Sequence, residues 1–563
     1  MKVIIVGGVA GGATAAARIR RLNEHAEITV FERSGYISYA NCGLPYYIGD
    51  VITDPEELTL QTPESFFKRF RINMKIHHEV ISIHPERKTV SVKNLENGEI
   101  FEENYDKLIL SPGAKPTQPR LPGVGMDKLF TLRTVEDTFR IKEYINKNHP
   151  KSAVLAGGGF IGLELAENLR ELGMDVTIVQ RPKQLMNPFD PDMASMIHNE
   201  MRKHGIKLVL GYTVEGFKEK DNGVEVLLKD NPSLQADMVV LAIGVTPDTA
   251  LAKEAGLELG IKGSIVVNDR METSVPDIYA AGDAVQVKHY VTGDDALISL
   301  AGPANKQGRI IADNICGGDS RYLGSQGSSV IKVFDMTAAT TGINETNAKK
   351  SGLEVDTVIL SPMSHAGYYP GGKVMTMKVV FEKETYRLLG AQIIGYEGVD
   401  KRIDVLATVI HAGLKATQLK DLDLAYAPPY SSAKDPVNMA GFMIDNIAKG
   451  TLKQWHLEDM DKISRDKSVV LLDVRTVGEF NRGHMDGFKN IPVDELRERI
   501  NEIEKGKPVY LICQSGLRSY IASRILEGNG YETYNFSGGF RFYDAVVNDR
   551  ALIERAYACG MDY

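Results

Sequence analysis

The feature that most constrains the fold is a duplicated unit. Lys2-Val-Ile-Ile-Val6 is a β-branched run that ends in Gly7-Gly-Val-Ala-Gly-Gly12 and leads into an alanine-rich stretch through Arg21. The pattern returns at Lys151–Ala156, which ends in Gly157-Gly-Gly-Phe-Ile-Gly162 and leads into a helical stretch through Leu172. Short β-branched runs that stop at glycine read as buried parallel strands. Glycines there let the backbone approach a pyrophosphate, which sits on the helix N-terminus where free N–H groups and the dipole favour negative charge. A further strand closes each unit, Glu27–Phe31 with Glu32 at its end and Val176–Val179 with Gln180 at its end. Two such units predict one chain that holds two dinucleotides. The first departs from G-x-G-x-x-G at Val9; the second fits it throughout. Glu32 is placed to accept ribose hydroxyls. Gln180 followed by Arg181 leaves NADH and NADPH both open.

A chain of 563 residues is long enough for three to five domains. Its formal net charge of -8 argues against nucleic acid as the main partner. The cysteines, Cys42, Cys316, Cys513 and Cys559, are too widely spaced for a disulfide framework or a metal cluster. That usage favours a reducing, cytoplasmic compartment. Val3 to Ala17 mimics a secretory leader, but it carries glycines at 7, 8, 11 and 12 and is followed at once by Arg18-Ile-Arg-Arg21. No later run approaches the ~20 apolar residues of a membrane span.

Chemistry centres on Tyr36-Ile-Ser-Tyr-Ala-Asn-Cys-Gly-Leu-Pro-Tyr-Tyr47. Cys42 lies shortly beyond Glu32, so it can be held against whatever the first nucleotide carries. Reductases with two active-site cysteines space them C-x4-C; here that second position is Tyr47. The Cys42 thiol is therefore expected to exchange with a sulfur brought from outside. Further on, Ser111-Pro-Gly-Ala114 ends a strand, and Thr273-Ser-Val-Pro-Asp-Ile-Tyr-Ala-Ala-Gly-Asp283 places an aspartate behind another.

In this order the segments resemble the flavin-dependent pyridine nucleotide–disulfide oxidoreductases, in which a nicotinamide domain interrupts the FAD domain. The resemblance implies FAD at Gly7, Gly8, Ala10, Gly11, Gly12, Glu32 and Arg33. Asn41, Val80, Ser111, Gly113, Arg133 and Ala301 join them, with Asp283 on the ribityl chain. It also implies NADH or NADPH at Gly157, Gly159, Phe160, Ile161, Gly162, Gln180 and Gly244. The fold expected is α/β: two Rossmann-like domains of glutathione-reductase type, an α+β dimerisation domain and a C-terminal α/β domain. The implied boundaries are 1–112 and 245–325 for FAD, 113–244 for the nicotinamide insertion and 326–450 for dimerisation. Residues 451–457 form a linker and 458–563 the last domain.

Within the family, Ser38-Tyr-Ala-Asn-Cys42-Gly-Leu-Pro is similar to the single-cysteine branch, most of all the coenzyme A–disulfide reductases. The competing NADH peroxidases and oxidases cycle a cysteine sulfenic acid and carry a histidine in the first glycine loop, where this chain has Ala10. Tyr368-Tyr369-Pro and Ala425-Tyr426-Ala-Pro-Pro-Tyr430 resemble the tyrosine segments of the coenzyme A enzymes. This implies that Tyr368 and Tyr426, donated across a homodimer interface, assist a departing thiolate. Coenzyme A needs cations for its phosphates. Arg18 and Arg21, one turn apart, are candidates, as are Arg71 and Lys434, although Arg18–Arg21 reads equally as a solvated helix face. Thr14, Ser38, Asn41 and Asn305 would line the pantetheine path.

The C-terminal segment reads as a separate unit. Pro508-Val-Tyr-Leu-Ile512 is a buried strand that delivers Cys513-Gln-Ser-Gly-Leu-Arg518-Ser519 to a loop before a helix. N–H groups converging on the sulfur, and the helix N-terminus, favour thiolate there and would hold a persulfide. Arg518 follows after four intervening residues, not the five of a phosphatase loop. The unit resembles a rhodanese domain, with Asp473, Arg475, Gln514, Gly516, Arg518 and Ser519 as its loop and support. The whole reads as an NAD(P)H-dependent flavoprotein that reduces coenzyme A disulfide, or a coenzyme A persulfide or polysulfide, through Cys42, with Cys513 handling sulfane sulfur. A peroxide or oxygen reductase and a non-catalytic redox sensor are the alternatives.

Overall fold

The computed structural model describes residues 1–221 and 223–559, apart from the side chains of 556–559, so the Cys559 thiol lies outside the described residues. The chain packs as two compact units, 1–182 with 206–327 and 183–205 with 328–563.

The first unit holds two five-stranded parallel sheets built to one plan. In one the strand order is Ile278–Ala280, Lys107–Leu110, Lys2–Val6, Glu27–Phe31, Asn73–Lys75. In the other it is Leu129–Thr131, Met238–Leu241, Ser152–Ala156, Asp175–Gln180, Lys207–Leu210. The strand that feeds the glycine loop is central in each, with Ile4 opposite Thr29 and Leu108, and Val154 opposite Thr177 and Val239. Central parallel strands are covered on both faces, which is why Val3, Ile4 and Ile5 are fully buried. In each sheet a three-stranded antiparallel ribbon, 78–104 and 214–236, is inserted in the chain before the last strand or strands.

In the second unit an antiparallel sheet runs Ser329–Val333, Met336–Gly342, Leu388–Gly395, Met375–Glu382, Val355–Leu360. The helices Val399–His411 and Pro436–Ala448 belong to this part. A parallel sheet follows, ordered Gln454–Trp455, Thr533–Phe536, Val509–Ile512, Val470–Asp473, Lys489–Asn490. Residues 451–457 are thus more than a connector. Gln454 and Trp455 pair in register with Asn535 and Phe536, and the buried Trp455 indole donates to the Leu511 carbonyl at 3.2 Å.

Residues 183–205 belong with the second unit, although the sequence reads them as part of the 113–244 insertion. The reason is a buried charge cluster. Lys378, on the strand Met375–Glu382, lies 2.7 Å from Asp192, 3.2 Å from Asp190 and 2.8 Å from Glu345, and is only 2% exposed. Asp190 also accepts the N–H groups of Glu345 and Thr346 at 3.0 and 2.9 Å and the Gln392 amide at 2.6 Å. The helix Pro191–Lys203 is held at its other end by the C-terminal helix: His198 and Arg202 meet Asp549 at 2.8 and 2.5 Å.

Candidate active site

Both glycine loops close tightly. A Cβ on Gly7 would sit 2.1 Å from the Ser111 carbonyl oxygen, and one on Gly157 2.2 Å from that of Ala242. Both glycines have positive φ, +96° and +120°, where a side chain is strained as well as crowded. The helices that follow, Ala10–Leu22 and Phe160–Glu171, have no side-chain cap at Val9 or Gly159. Some other helices of the chain do carry full capping boxes, at Thr62, Thr134 and Thr476. Uncapped N–H groups behind a glycine turn are what a pyrophosphate requires, so these residues fit a dinucleotide at each loop. The strand-end residues take matching positions. Glu32 Oε2 accepts the Gly8 N–H at 2.8 Å, and Gln180 Oε1 accepts the Gly158 N–H at 3.1 Å.

Cys42 lies on a 3-10 turn, Asn41–Gly43, followed at once by the short helix Leu44–Ile48. Tyr47, at the position of a second cysteine, packs edge-on against Phe139 at 5.7 Å. The described cysteines Cys42, Cys316 and Cys513 are all free thiols. Cys42 is exposed, yet crowded protein on its inner side pushes the thiol up, and Glu164 pushes it further while Arg133 opposes. Glu164 stands on the helix Phe160–Glu171, and its own carboxyl is pushed up to about 7 by burial and by Glu167. A carboxyl so perturbed, in electrostatic contact with the Cys42 thiol, marks Glu164 as a candidate functional group. The sequence reading missed it, although Glu164 stands one helical turn beyond Phe160 in the fingerprint.

Arg133 ties the expected flavin residues together. Its Nη2 meets Asp283 at 2.7 Å, and its Nε donates to the Ala114 carbonyl at 3.1 Å. With both of its groups paired, the Asn41 amide donates to the Arg133 carbonyl at 3.0 Å and accepts from Nη1 at 3.1 Å. One guanidinium therefore links the residue before Cys42 to Asp283. Ser38 donates its N–H to the Gly8 carbonyl at 2.9 Å, and Gly113 lies near Arg133 Nη2. Val80 is a buried residue of the strand His78–His84, and Ala301 opens the uncapped helix Ala301–Ile315. In the second loop Ile161 follows Phe160 on its helix, Gly162 packs on the Gly157 carbonyl, and Gly244 has positive φ with open space at its Cβ.

The residues expected at coenzyme A divide between the units. Thr14 donates to Asn305 at 2.7 Å, which brings those two together. Arg18 and Arg21 differ: Arg18 pairs with Asp313 at 2.8 Å, whereas Arg21 is exposed. Arg71 is an exposed C-cap with φ 50° and lies over the Phe67 ring. In the second unit Lys434 is exposed, and the Tyr368 and Tyr426 hydroxyls meet at 2.7 Å. Both rings are exposed, Tyr368 by 76%.

The C-terminal sulfur is held differently. Cys513 is 1% exposed at the end of its strand, and its Sγ accepts from the Gly516 N–H at 3.1 Å and the Ser519 hydroxyl at 3.2 Å. Arg475 and Asp473 build the floor. The buried guanidinium bonds Asp473 and the Gly483 carbonyl, approaches Gln514 Oε1 at 3.5 Å, and stacks 3.8 Å over Phe540. Arg518 forms a two-armed pair with Glu479, 2.7 Å in each arm, which holds the Glu479 carboxyl down to about 2. Glu479 is absent from the sequence reading.

Comparison with known proteins agrees with this division. Residues 1–308 match the family model for pyridine nucleotide–disulphide oxidoreductase, 328–436 that family's dimerisation domain, and 456–545 the rhodanese-like domain. The coenzyme A disulfide reductase of Staphylococcus aureus (strain JH9) is 39% identical over 443 residues, 78% of this chain and 99% of that protein. Reduced Bacillus anthracis CoADR-RHD superposes with a TM-score of 0.95 at 48% identity, covering 98% of both chains. A NAD-dependent persulfide reductase from A. fulgidus superposes at 0.90 with 38% identity, covering 96% of this chain and 100% of that one. No described helix is long and apolar enough to cross a membrane. The chain belongs to the pyridine nucleotide–disulphide oxidoreductases and joins that family's dimerisation domain to a rhodanese-like domain.

Proposed function

We propose that the protein is an NAD(P)H-dependent reductase of coenzyme A disulfide and of coenzyme A persulfide or polysulfide, working through Cys42. The observation that carries this reading is an exposed, free Cys42 whose C-x4-C position is filled by Tyr47 packed on Phe139. FAD, when bound, accepts hydride from NAD(P)H and supplies an electron pair to sulfur. The Cys42 thiolate attacks one sulfur of coenzyme A disulfide, the S–S bond breaks, and one coenzyme A leaves as thiolate. Cys42 is left in a mixed disulfide with the other half. Two electrons delivered to that bond restore the Cys42 thiolate and release the second coenzyme A. With a coenzyme A persulfide or polysulfide, attack on the outer sulfur breaks its S–S bond, expels coenzyme A (or the shortened polysulfide) as the thiolate and leaves Cys42 persulfidated. Two electrons and a proton then restore the Cys42 thiolate and release the outer sulfur as hydrogen sulfide.

The remaining residues have distinct tasks. Arg133 holds Asp283 and Asn41, which orients the turn that carries Cys42. Tyr368 and Tyr426, contributed by the second subunit of a homodimer, donate hydrogen bonds to the leaving thiolate. Their shared hydrogen bond supports action as a pair. Gly516 and Ser519 hold the Cys513 sulfur, and their donors suit the terminal sulfur of a persulfide. Cys513 thus handles sulfane sulfur for the reductase. The test is Cys42→Ser: it should abolish turnover of both substrates while flavin stays bound, and residual reduction of coenzyme A disulfide would refute the assignment.

A further inference from the structure

The two dinucleotide units differ where each meets the ribose. At the first, Glu32 accepts the Gly8 N–H through Oε2 and the Ser34 N–H, at 2.9 Å, through Oε1. The next residue, Arg33, is taken up by Asp248 at 2.9 Å. A carboxylate beside a neutralised arginine suits a ribose with free hydroxyls, which it can accept from, and disfavours a phosphate.

The second unit keeps the backbone plan and changes this chemistry. Gln180 stands where Glu32 stands and bonds its glycine loop in the same way, Oε1 accepting the Gly158 N–H at 3.1 Å. An N–H can bond only the amide oxygen, so the assignment of oxygen and nitrogen in Gln180 follows from its partner. With the oxygen turned to the loop, the –NH2 group is what the side chain offers the ribose, and it donates. The next residue, Arg181, is exposed and has no ion-pair partner among the described residues. A carboxylate has become a donor, and a neutralised arginine has become an available one.

We propose that the second site selects the 2′-phosphorylated cofactor, NADPH, with Gln180 and Arg181 as the residues that read the 2′-phosphate. This rests on the reading of Gly157–Gly162 as the nicotinamide loop. Arg181 supplies the preference, because a guanidinium pairs with phosphate through charge-assisted hydrogen bonds. Gln180 permits it by removing the repulsion that a glutamate would exert. A free 2′-hydroxyl can still accept from the Gln180 amide, so NADH is disfavoured and not excluded.

The test is calorimetric titration of the flavin-loaded protein with 2′-phospho-ADP-ribose and with ADP-ribose, which differ by the phosphate alone and carry no electrons. The phosphorylated probe should bind about tenfold more tightly, the value of one charge-assisted hydrogen bond at an exposed site. Added salt should shrink the gap. Arg181→Ala should bring the ratio near one with ADP-ribose affinity unchanged, and Gln180→Glu should invert it. A wild-type ratio at or below one, or a ratio untouched by Arg181→Ala, would overturn the proposal while leaving the nicotinamide site intact. Failure of both probes to bind would overturn the nicotinamide reading and the proposal with it.

Discussion

Arg133 bonds both Asp283, the proposed flavin residue, and Asn41 on the Cys42 turn, and its removal should be felt at each. The side chains of Arg133 and Asp283 are 20% and 17% exposed and meet at 2.7 Å. Truncating one partner of a buried pair costs about 3–5 kcal/mol, and a hydrogen bond to a charged group is worth about 1.5–3. Because both groups keep some water contact, Arg133→Ala should fall in the lower range, at about 2–3 kcal/mol. Bound flavin would cover Asp283 and deny the stranded carboxylate its water, so the cost falls on the flavin-bound state. That corresponds to FAD binding weaker by roughly 30- to 160-fold. Fluorescence titration of the flavin-stripped protein measures it. Arg133 is also the cation that draws the Cys42 thiol down, so the variant, reloaded with excess FAD, should alkylate at Cys42 more slowly at neutral pH. Wild-type FAD affinity together with an unchanged Cys42 alkylation rate would show that Arg133 couples neither group to the site.

Four further outcomes follow. Cys513→Ser should lower turnover on polysulfide and spare coenzyme A disulfide; equal losses on both would count against separate sulfur handling. Glu164→Gln should speed Cys42 alkylation above pH 7, because ionised Glu164 holds the thiol proton on, and it should erase an inflection near pH 7 in the alkylation profile. Lys378→Met should cost about 3–5 kcal/mol by stranding three carboxylates, read as a lowered unfolding midpoint in denaturant; an unchanged midpoint would contradict the cluster's role. His198 and Arg202 hold Asp549 below its usual carboxylate range. Its contribution is therefore complete above the unfolded value near 4 and is lost as pH falls below that, so the stability gap between wild type and Asp549→Asn should close in acid.

Much of this was legible in the sequence because glycine turns and strand-end residues are local. Gly7 and Gly157, Glu32 and Gln180 reveal themselves by spacing alone, and the structure gives Glu32 and Gln180 the same hydrogen bond, from the N–H groups of Gly8 and Gly158. The missing second cysteine at Tyr47 is equally local. What escaped depends on partners far along the chain. Residues 183–205 look like a continuation of the nicotinamide unit, and it is distant partners such as Lys378 and Asp549, some 190 and 350 residues on, that draw them into the other unit. Trp455 has the look of a linker residue because its strand is two residues long and has meaning only beside Phe536. Glu164 carries no motif of its own; burial and the nearness of Glu167 give it a near-neutral pKa.

The central claim is that Cys42 bonds to a thiol that visits the site. Mass spectrometry of the protein as isolated, digested without reductant, tests it at the peptide that carries Cys42. Coenzyme A should be attached there through a disulfide, released by a thiol reductant and absent from Cys42→Ser. A Cys42 found as sulfenic acid, or joined to another cysteine of the chain, would contradict it.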